Sequence, residues 1–260
     1  MTEELARAWD EAAEDYERYF VPRFAPWVAE AVRALTGGAL PAGPILVPCC
    51  GTFPELPALV EAYPGREIVG IDLSAGMVAL ARARAGSLPG VTVIEGDAAV
   101  LDRRWLGECA GVVSVFGLQQ LPEPPAALAR WAAALRPGGR MSVMFWSADT
   151  EQEGPFALFG RVLARHRPPA DVSWEGRLVP AVTANGAVVV RDEEVPFAMS
   201  HDDASTIWAA MVCSGPWRAL ANARGEEFMR SVAREFLALA PEGEWHHRPR
   251  ARLIVADRPT

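Results

Sequence analysis

From Ile45 onward the chain alternates short apolar runs with longer segments of helical period, and this alternation constrains its fold more than any other feature. The runs are ILVPCC (45–50), EIVGID (67–72), VTVIEG (91–96), AGVVSVF (110–116) and RMSVMFW (140–146). All are rich in the β-branched residues that suit strands. Between them lie Pro54 to Tyr63, Ser74 to Ala85 and Pro124 to Leu135, each of helical length and period. Strands joined by helices of this size pair in parallel through crossovers, so the residues predict an α/β fold. Arg136-Pro137-Gly138-Gly139 reads as a helix stop and a turn into the next strand.

The flanks behave differently. Residues 3 to 35 read as one or two amphipathic helices, with Trp9, Ala12, Tyr16, Tyr19 and Phe20 at helical spacing and Pro22 interrupting. A GGALPAGP linker follows. After Trp146 the alternation loosens: helices are expected near Phe156 to Arg165, Arg177 to Ala184 (with Asn185-Gly186 as cap), Asp202 to Val212 and Glu226 to Leu239. Two late strands, 186–198 and 248–256, complete the pattern, and the segment between them is expected to form a lid.

Composition excludes several function classes. A formal net charge of −8 and a pI near 5.1 argue against nucleic acid, whose phosphates are gripped by clustered basic residues. The short Arg groups, such as Arg82 and Arg84 or Arg248, Arg250 and Arg252, read as solvated faces. Four cysteines, including the adjacent Cys49 and Cys50, have no metal-type spacing, so no metal is expected and thiols in a cytoplasmic setting are. No run reaches the ~18 apolar residues of a membrane span.

In an open α/β sheet, ligands bind beyond the carboxyl ends of the strands, where strand order reverses. The first such end is Pro48-Cys49-Cys50-Gly51-Thr52-Phe53-Pro54-Glu55, either a ligand-binding turn whose following helix presents amide N–H groups or an ordinary βα turn. Gly51 permits close backbone approach. Asp72 ends the second strand about 20 residues further on, where a carboxylate can accept from ribose hydroxyls. Asp97, in Gly96-Asp97-Ala98 after the third strand, can accept from an adenine amino group or simply cap the next turn. The turn lacks Lys, Arg and the P-loop pattern, so a nucleoside without phosphates fits better than a nucleotide. A thiol nucleophile at Cys49 or Cys50 is disfavoured, because no His or Asp partner stands nearby in sequence.

Taken in order, ILVPCCGT, VGIDLSAGMVALARAR, VIEGDAAVLD, VVSVFGLQQLPEP and ALRPGGRMSVMFW resemble the class I S-adenosylmethionine-dependent methyltransferases, in spacing the methyltransferase type 11 and ubiquinone/menaquinone branch. The resemblance runs from about Trp9 to Trp146 and more loosely to RARLIVADRP. It implies a Rossmann-like, seven-stranded, mostly parallel sheet with helices on both faces, an N-terminal helical lid and a helical insertion before the last strand. It further implies one methyltransferase domain over 1–260: lid helices at 1–40, a cofactor-binding core at 41–147, and an acceptor-side lid with C-terminal strands at 148–260. The implied cofactor is S-adenosyl-L-methionine, leaving S-adenosyl-L-homocysteine. Pro48, Cys49, Gly51, Thr52 and Phe53 would hold its methionine end, Asp72 the ribose, Leu73 and Met77 the adenine face, and Asp97 with Ala98 the adenine edge. Phe116 and Gly117 would close the pocket, and Tyr16 would lie on the covering helix or in the core.

Two departures from the family pattern bear on mechanism. Val47 to Phe53 replaces the usual D-x-G-C-G-T-G, losing the acid and two glycines. Gln119-Gln120 stands where many relatives carry paired histidines, and glutamine takes no proton at neutral pH. Gln119 and Gln120 are therefore expected to position an acceptor rather than deprotonate it; of His166, His201, His246 and His247, the last two are expected to enter the final strand. The acceptor pocket is expected to draw on Tyr19, Gln120, Trp146, Phe156, Trp208, Met211 and Trp217, with Trp217 carried on a CSGPW loop and Trp208 and Met211 alternatively a core stripe. The expected function is methyl transfer to N or O of a small aromatic or heterocyclic molecule, without a histidine base. A soluble monomer or homodimer in bacterial secondary metabolism is implied. Two alternatives stay open: an S-adenosylmethionine-binding protein with a pericyclase-like or noncatalytic role, and a nicotinamide oxidoreductase, which the broken glycine fingerprint disfavours.

Overall fold

The computed structural model describes residues 3–166 and 171–260. Strand β1 (Ile45–Pro48) is followed by α2 (Leu56–Ala62), β2 (Ile68–Asp72), α3 (Ala75–Ala85), β3 (Val91–Glu95), β4 (Cys109–Val115), α4 (Pro124–Ala134) and β5 (Leu135–Phe145). Ahead of them runs α1 (Glu3–Leu35). Behind them come α5 (Pro155–Ala164), α6 (Leu178–Thr183), β6 (Val188–Pro196), β7 (Met199–His201), α7 (Ala204–Val212), α8 (Gly215–Arg224), α9 (Glu226–Leu239), β8 (Trp245–His247) and β9 (Arg250–Asp257).

The main sheet has seven strands in the order β3-β2-β1-β4-β5-β9-β6. β1 to β5 pair in parallel, and β9 enters antiparallel between β5 and β6. Because β1 is flanked by β2 on one side and β4 on the other, strand order reverses there, which leaves a crevice at the strands' carboxyl ends. Alternate strand residues feed two cores. Ile45, Val47, Val113 and Met144 pack with Trp27 and Phe53, whereas Leu46, Val112, Val143 and Phe145 pack with Trp131 and Leu178. Both faces are covered, as the continuous apolar runs require.

Four local expectations change. α1 runs unbroken through Pro22 and Pro26, because Phe20, Phe24 and Trp27 are buried on that stretch and Trp27 Nε1 donates to Val195 O at 2.8 Å. Tertiary burial thereby offsets the helix penalty of about 3 kcal/mol for an interior proline. Arg136 to Gly139 is strand rather than turn: β5 begins directly after α4, and a register irregularity between Cys109 and Gly111 of β4 absorbs the extra residues. His246 and His247 lie in β8, which pairs with β7 in a separate two-stranded sheet rather than entering β9. Pro249, with no N–H to give a ladder, separates β8 from β9. Trp217 sits in helix α8 and not on a loop.

The insertion between β6 and β9 packs with α5 into a small core of its own, in which Phe159 and Phe236 stack with ring centroids 4.1 Å apart and Ile207, Val232 and Trp217 surround them. No helix among the described residues is long and apolar enough to cross a membrane.

Candidate active site

At the switch point the backbone is strained. Cys49, Phe53 and Phe116 are the non-glycine residues with positive φ among those described, at 56°, 66° and 59°. All three flank the carboxyl ends of β1 and β4. Strain kept at one place in a fold marks a site whose surroundings enforce it. The enforcing contact is visible: a Cβ on Gly117 would overlap Cβ of Cys49, so only glycine lets the two turns touch.

Asp72 ties the turn to β2. Its Oδ2 accepts from Gly51 N at 2.8 Å and its Oδ1 from Ser74 N at 3.0 Å. Burial raises its pKa, while the Ser74 and Gly51 amides pull it down. The amides of Cys50 and Phe53 are also spent, on Ile71 O and Cys50 O. The turn therefore offers a ligand fewer free donors than its sequence suggests. Burial pushes the Cys49 and Cys50 thiols well up, which leaves them protonated and poor nucleophiles.

α1 roofs this rim. Asp10 Oδ1 accepts from Ser74 Oγ at 2.6 Å and from Gly76 N at 3.0 Å, at the start of α3. About two turns later Glu17 pairs with Arg84 and accepts from Thr52 Oγ1. The Trp9 ring lies on Gly215 of α8, where any side chain would collide with it.

Two cavities result. The smaller, about 70 Å³, lies over the turn and is lined by Cys49, Gly51, Glu55, Asp72, Met77 and Gly117, among others. The larger, about 310 Å³, lies between α1 and the insertion and is lined by Phe20, Phe24, Trp146, Phe156, Met211 and Trp217, among others. Trp9, Tyr16, Phe116 and Gln120 wall both. Phe116 stacks on Trp146 with centroids 4.2 Å apart and planes 5° from parallel. The two acidic side chains in the smaller cavity, Asp72 and Glu55, and the absence of Lys or Arg among its lining residues, suit a cationic nucleoside and not a phosphate. Glu55 Oε2 there, and Gln119 Oε1 beside the larger cavity, are buried without a hydrogen-bond partner. No cluster among the described residues is arranged to hold a metal ion.

Of the residues singled out from sequence, Tyr16, Cys49, Gly51, Thr52, Asp72, Met77, Phe116 and Gly117 line the smaller cavity. Gln119, Gln120, Trp146, Phe156, Met211 and Trp217 line the larger. The others stand elsewhere. Phe53 is fully buried under Gly70, Ala98 accepts from Trp131 Nε1 within the core, and Asp97 caps its own turn by accepting from Ala99 N at 2.9 Å. Pro48 and Leu73 do not reach the lining either. Trp208 packs on Trp217 and Phe236, as its core-stripe reading has it.

Tyr19 lines neither cavity; its hydroxyl meets His201 Nδ1 at 2.7 Å. From there a buried chain continues through His247, whose Nε2 lies 3.0 Å from His201 Nε2, to Glu151 Oε2 at 2.7 Å. Glu151 in turn accepts from the amides of Phe156 and Ala157 at the start of α5. Burial, helped by His247 and Arg23, lowers His201 to about 3, so it stays neutral and serves as a strut. Glu55 and Trp9 were not singled out as site residues from sequence; an acid just past a turn that had lost its usual acid was the one available signal.

Residues 45–139 match the family model described as a methyltransferase domain. The matched segment takes in β1 to β4 and the start of β5, and so includes the turn that floors the smaller cavity at the switch point. Over 125 residues, 48% of this chain and 52% of the relative, it is 30% identical to the ubiquinone/menaquinone biosynthesis C-methyltransferase UbiE of Syntrophotalea carbinolica. Over 94 residues, 36% of this chain and 34% of the relative, it is 37% identical to trans-aconitate 2-methyltransferase of Deinococcus radiodurans. The chain thus spans about half, or less, of these curated relatives. Among solved structures, the 4+2 cyclase SpnF shares the fold with a TM-score of 0.56 and 16% identity, over 91% of this chain and 81% of that one.

Proposed function

We propose that this chain binds S-adenosylmethionine over the β1 turn and directs its methyl group to N or O of a small aromatic or heterocyclic acceptor held beneath α1. The observation that carries this reading is the shared wall: Trp9, Tyr16, Phe116 and Gln120 belong to both cavities, so ligands in the two would meet there. When bound, the cofactor supplies a methyl group already activated by its sulfonium. Asp72 and Met77 would hold its nucleoside, with Gly117 allowing close approach. Phe116, Trp146 and Phe156 would orient a flat acceptor, and Gln120 would fix its polar edge. Trp9 and Tyr16 exclude water. Such alignment is worth about 7 to 11 kcal/mol, enough to act on a good nucleophile without a base.

Residues 1–260 would then work as one unit, a cytoplasmic monomer or homodimer, in bacterial secondary metabolism. The test is to incubate the protein with S-adenosylmethionine and a panel of phenols, quinols and nitrogen heterocycles. S-adenosylhomocysteine and a product heavier by one methylene support the reading. Failure of calorimetry to detect S-adenosylhomocysteine binding overturns it.

A second reading has one observation in its favour. Among the residues lining the larger cavity, Tyr16 alone is ionisable, and burial raises its hydroxyl pKa. A cavity without a base also suits a non-methyltransfer reaction such as a pericyclic one, with the cofactor retained. Acceptor-dependent S-adenosylhomocysteine formation separates the two.

A further inference from the structure

Two carboxylates line the smaller cavity, and their situations differ. Both oxygens of Asp72 are engaged by backbone amides. Glu55 is 1% exposed, and its Oε2 faces no donor. The Arg84 guanidinium gives its hydrogen bonds to Thr52 and Glu17 instead. A buried acceptor left idle is a standing cost to the fold unless something fills the place.

Burial, opposed by the Glu55 amide and Arg84 and reinforced by Asp72, pushes the Glu55 carboxyl up to about 8. At neutral pH it therefore holds its proton. The groups facing it are Tyr16 on α1, Cys50 on the turn, Asp72 at the end of β2 and Arg84 on α3, with Glu17 beyond Tyr16. A cation carrying N–H donors would satisfy the idle oxygen and convert the acid to a carboxylate. S-adenosylmethionine has two cationic groups. The sulfonium has no hydrogen to donate; the α-ammonium has three.

We propose that Glu55 receives the α-ammonium group of the cofactor's methionine end, supplying from beyond the turn the acid that Val47 to Phe53 lacks. The assignment rests on reading the cavity as an S-adenosylmethionine site. On binding, the Glu55 O–H bond breaks, its proton leaves to solvent, and the carboxylate pairs with the ammonium.

Calorimetry at pH 7 in buffers of different ionisation enthalpy counts that proton. S-adenosylhomocysteine, which keeps the ammonium and lacks the sulfonium, should release close to one proton. 5′-Methylthioadenosine, which lacks the amino-acid end, should release none. In Glu55→Gln the release should vanish and S-adenosylhomocysteine affinity should fall at least about tenfold. Methylthioadenosine affinity should stay within about twofold, which also shows the variant folded. Binding of S-adenosylhomocysteine without proton release overturns the proposal, as does release with S-adenosylmethionine alone, which would aim Glu55 at sulfur. Equal loss of both ligands in the variant overturns it too, by making Glu55 a support for the turn. If the wild-type protein binds neither ligand, the reading of the cavity itself falls, and this proposal with it.

Discussion

The two cavities share a wall yet are built on opposite principles. The smaller is shaped by backbone: strained φ angles at Cys49 and Phe116, a glycine that allows contact between turns, and a carboxylate holding two amides. The larger is shaped by side chains, mostly aromatic rings drawn from α1, α5, α8 and the residues just past β4 and β5. Backbone geometry tolerates little change, whereas a wall of rings can be remodelled. The first should therefore respond sharply to any change of backbone, and the second should accommodate substituted rings.

The sharpest way to break this contrast is Gly117→Ala. Its Cβ would strike backbone-anchored Cys49, so S-adenosylhomocysteine binding should be lost in calorimetry and stability should fall by about 3 kcal/mol in urea titration. Native-like melting would show that the turns are less rigid than described. Next, Asp72→Ala should weaken S-adenosylhomocysteine at least about tenfold with the fold retained, since hydrogen bonds to a charged group are worth about 1.5–3 kcal/mol each. Unchanged affinity refutes the role given to this carboxylate.

On the other side of the wall, Trp146→Ala removes the partner of Phe116. Acceptor KM should rise about tenfold while S-adenosylhomocysteine affinity holds within about twofold, because a ring contact adds up to about 1.5 kcal/mol beyond burial. Equal losses for both ligands would mean that the cavities are not separable.

Glu55 gives a pH-dependent difference between wild type and Glu55→Gln. Its folded pKa lies above the usual carboxyl value, so between about 4.5 and about 8 the folded state holds a proton that the unfolded chain has lost. Stability from this group is present below that window and declines as pH rises through it, at no more than roughly 1.4 kcal/mol per unit. The variant lacks this decline, so melting curves at pH 5, 7 and 9 should show its stability gaining on wild type as pH rises. Parallel curves would place Glu55 in water.

The smallest effect is expected from Gln120→Ala, a fall in turnover of less than about tenfold, as befits a positioning group. A loss of thousands-fold would reveal a chemical role.

How far the sequence announced all this also follows the division between the cavities. Strand ends lie where the continuous apolar runs give way to turn residues and helical period, so Asp72, Gly51 and Gly117 were readable as rim residues. Side-chain aim was not. Trp9, Tyr16 and Phe20 fall on one stripe of α1, and Tyr19 sits about 60° round the helix from Tyr16, enough to send it to His201 instead of the cavity. The same offset sends Trp208 into the insertion core and Met211 to the cavity. Asp97 followed its local turn chemistry. Burial of Glu55 depends on the lid, strand and turn meeting in space, and no local pattern in the chain reports it.

The first helix, pinned by Asp10 to the start of α3 and by Glu17 to Thr52 and Arg84, covers both chambers at once. Trp9 and Tyr16, which it carries, belong to the wall common to both, so a shift of this helix would reshape the two chambers together.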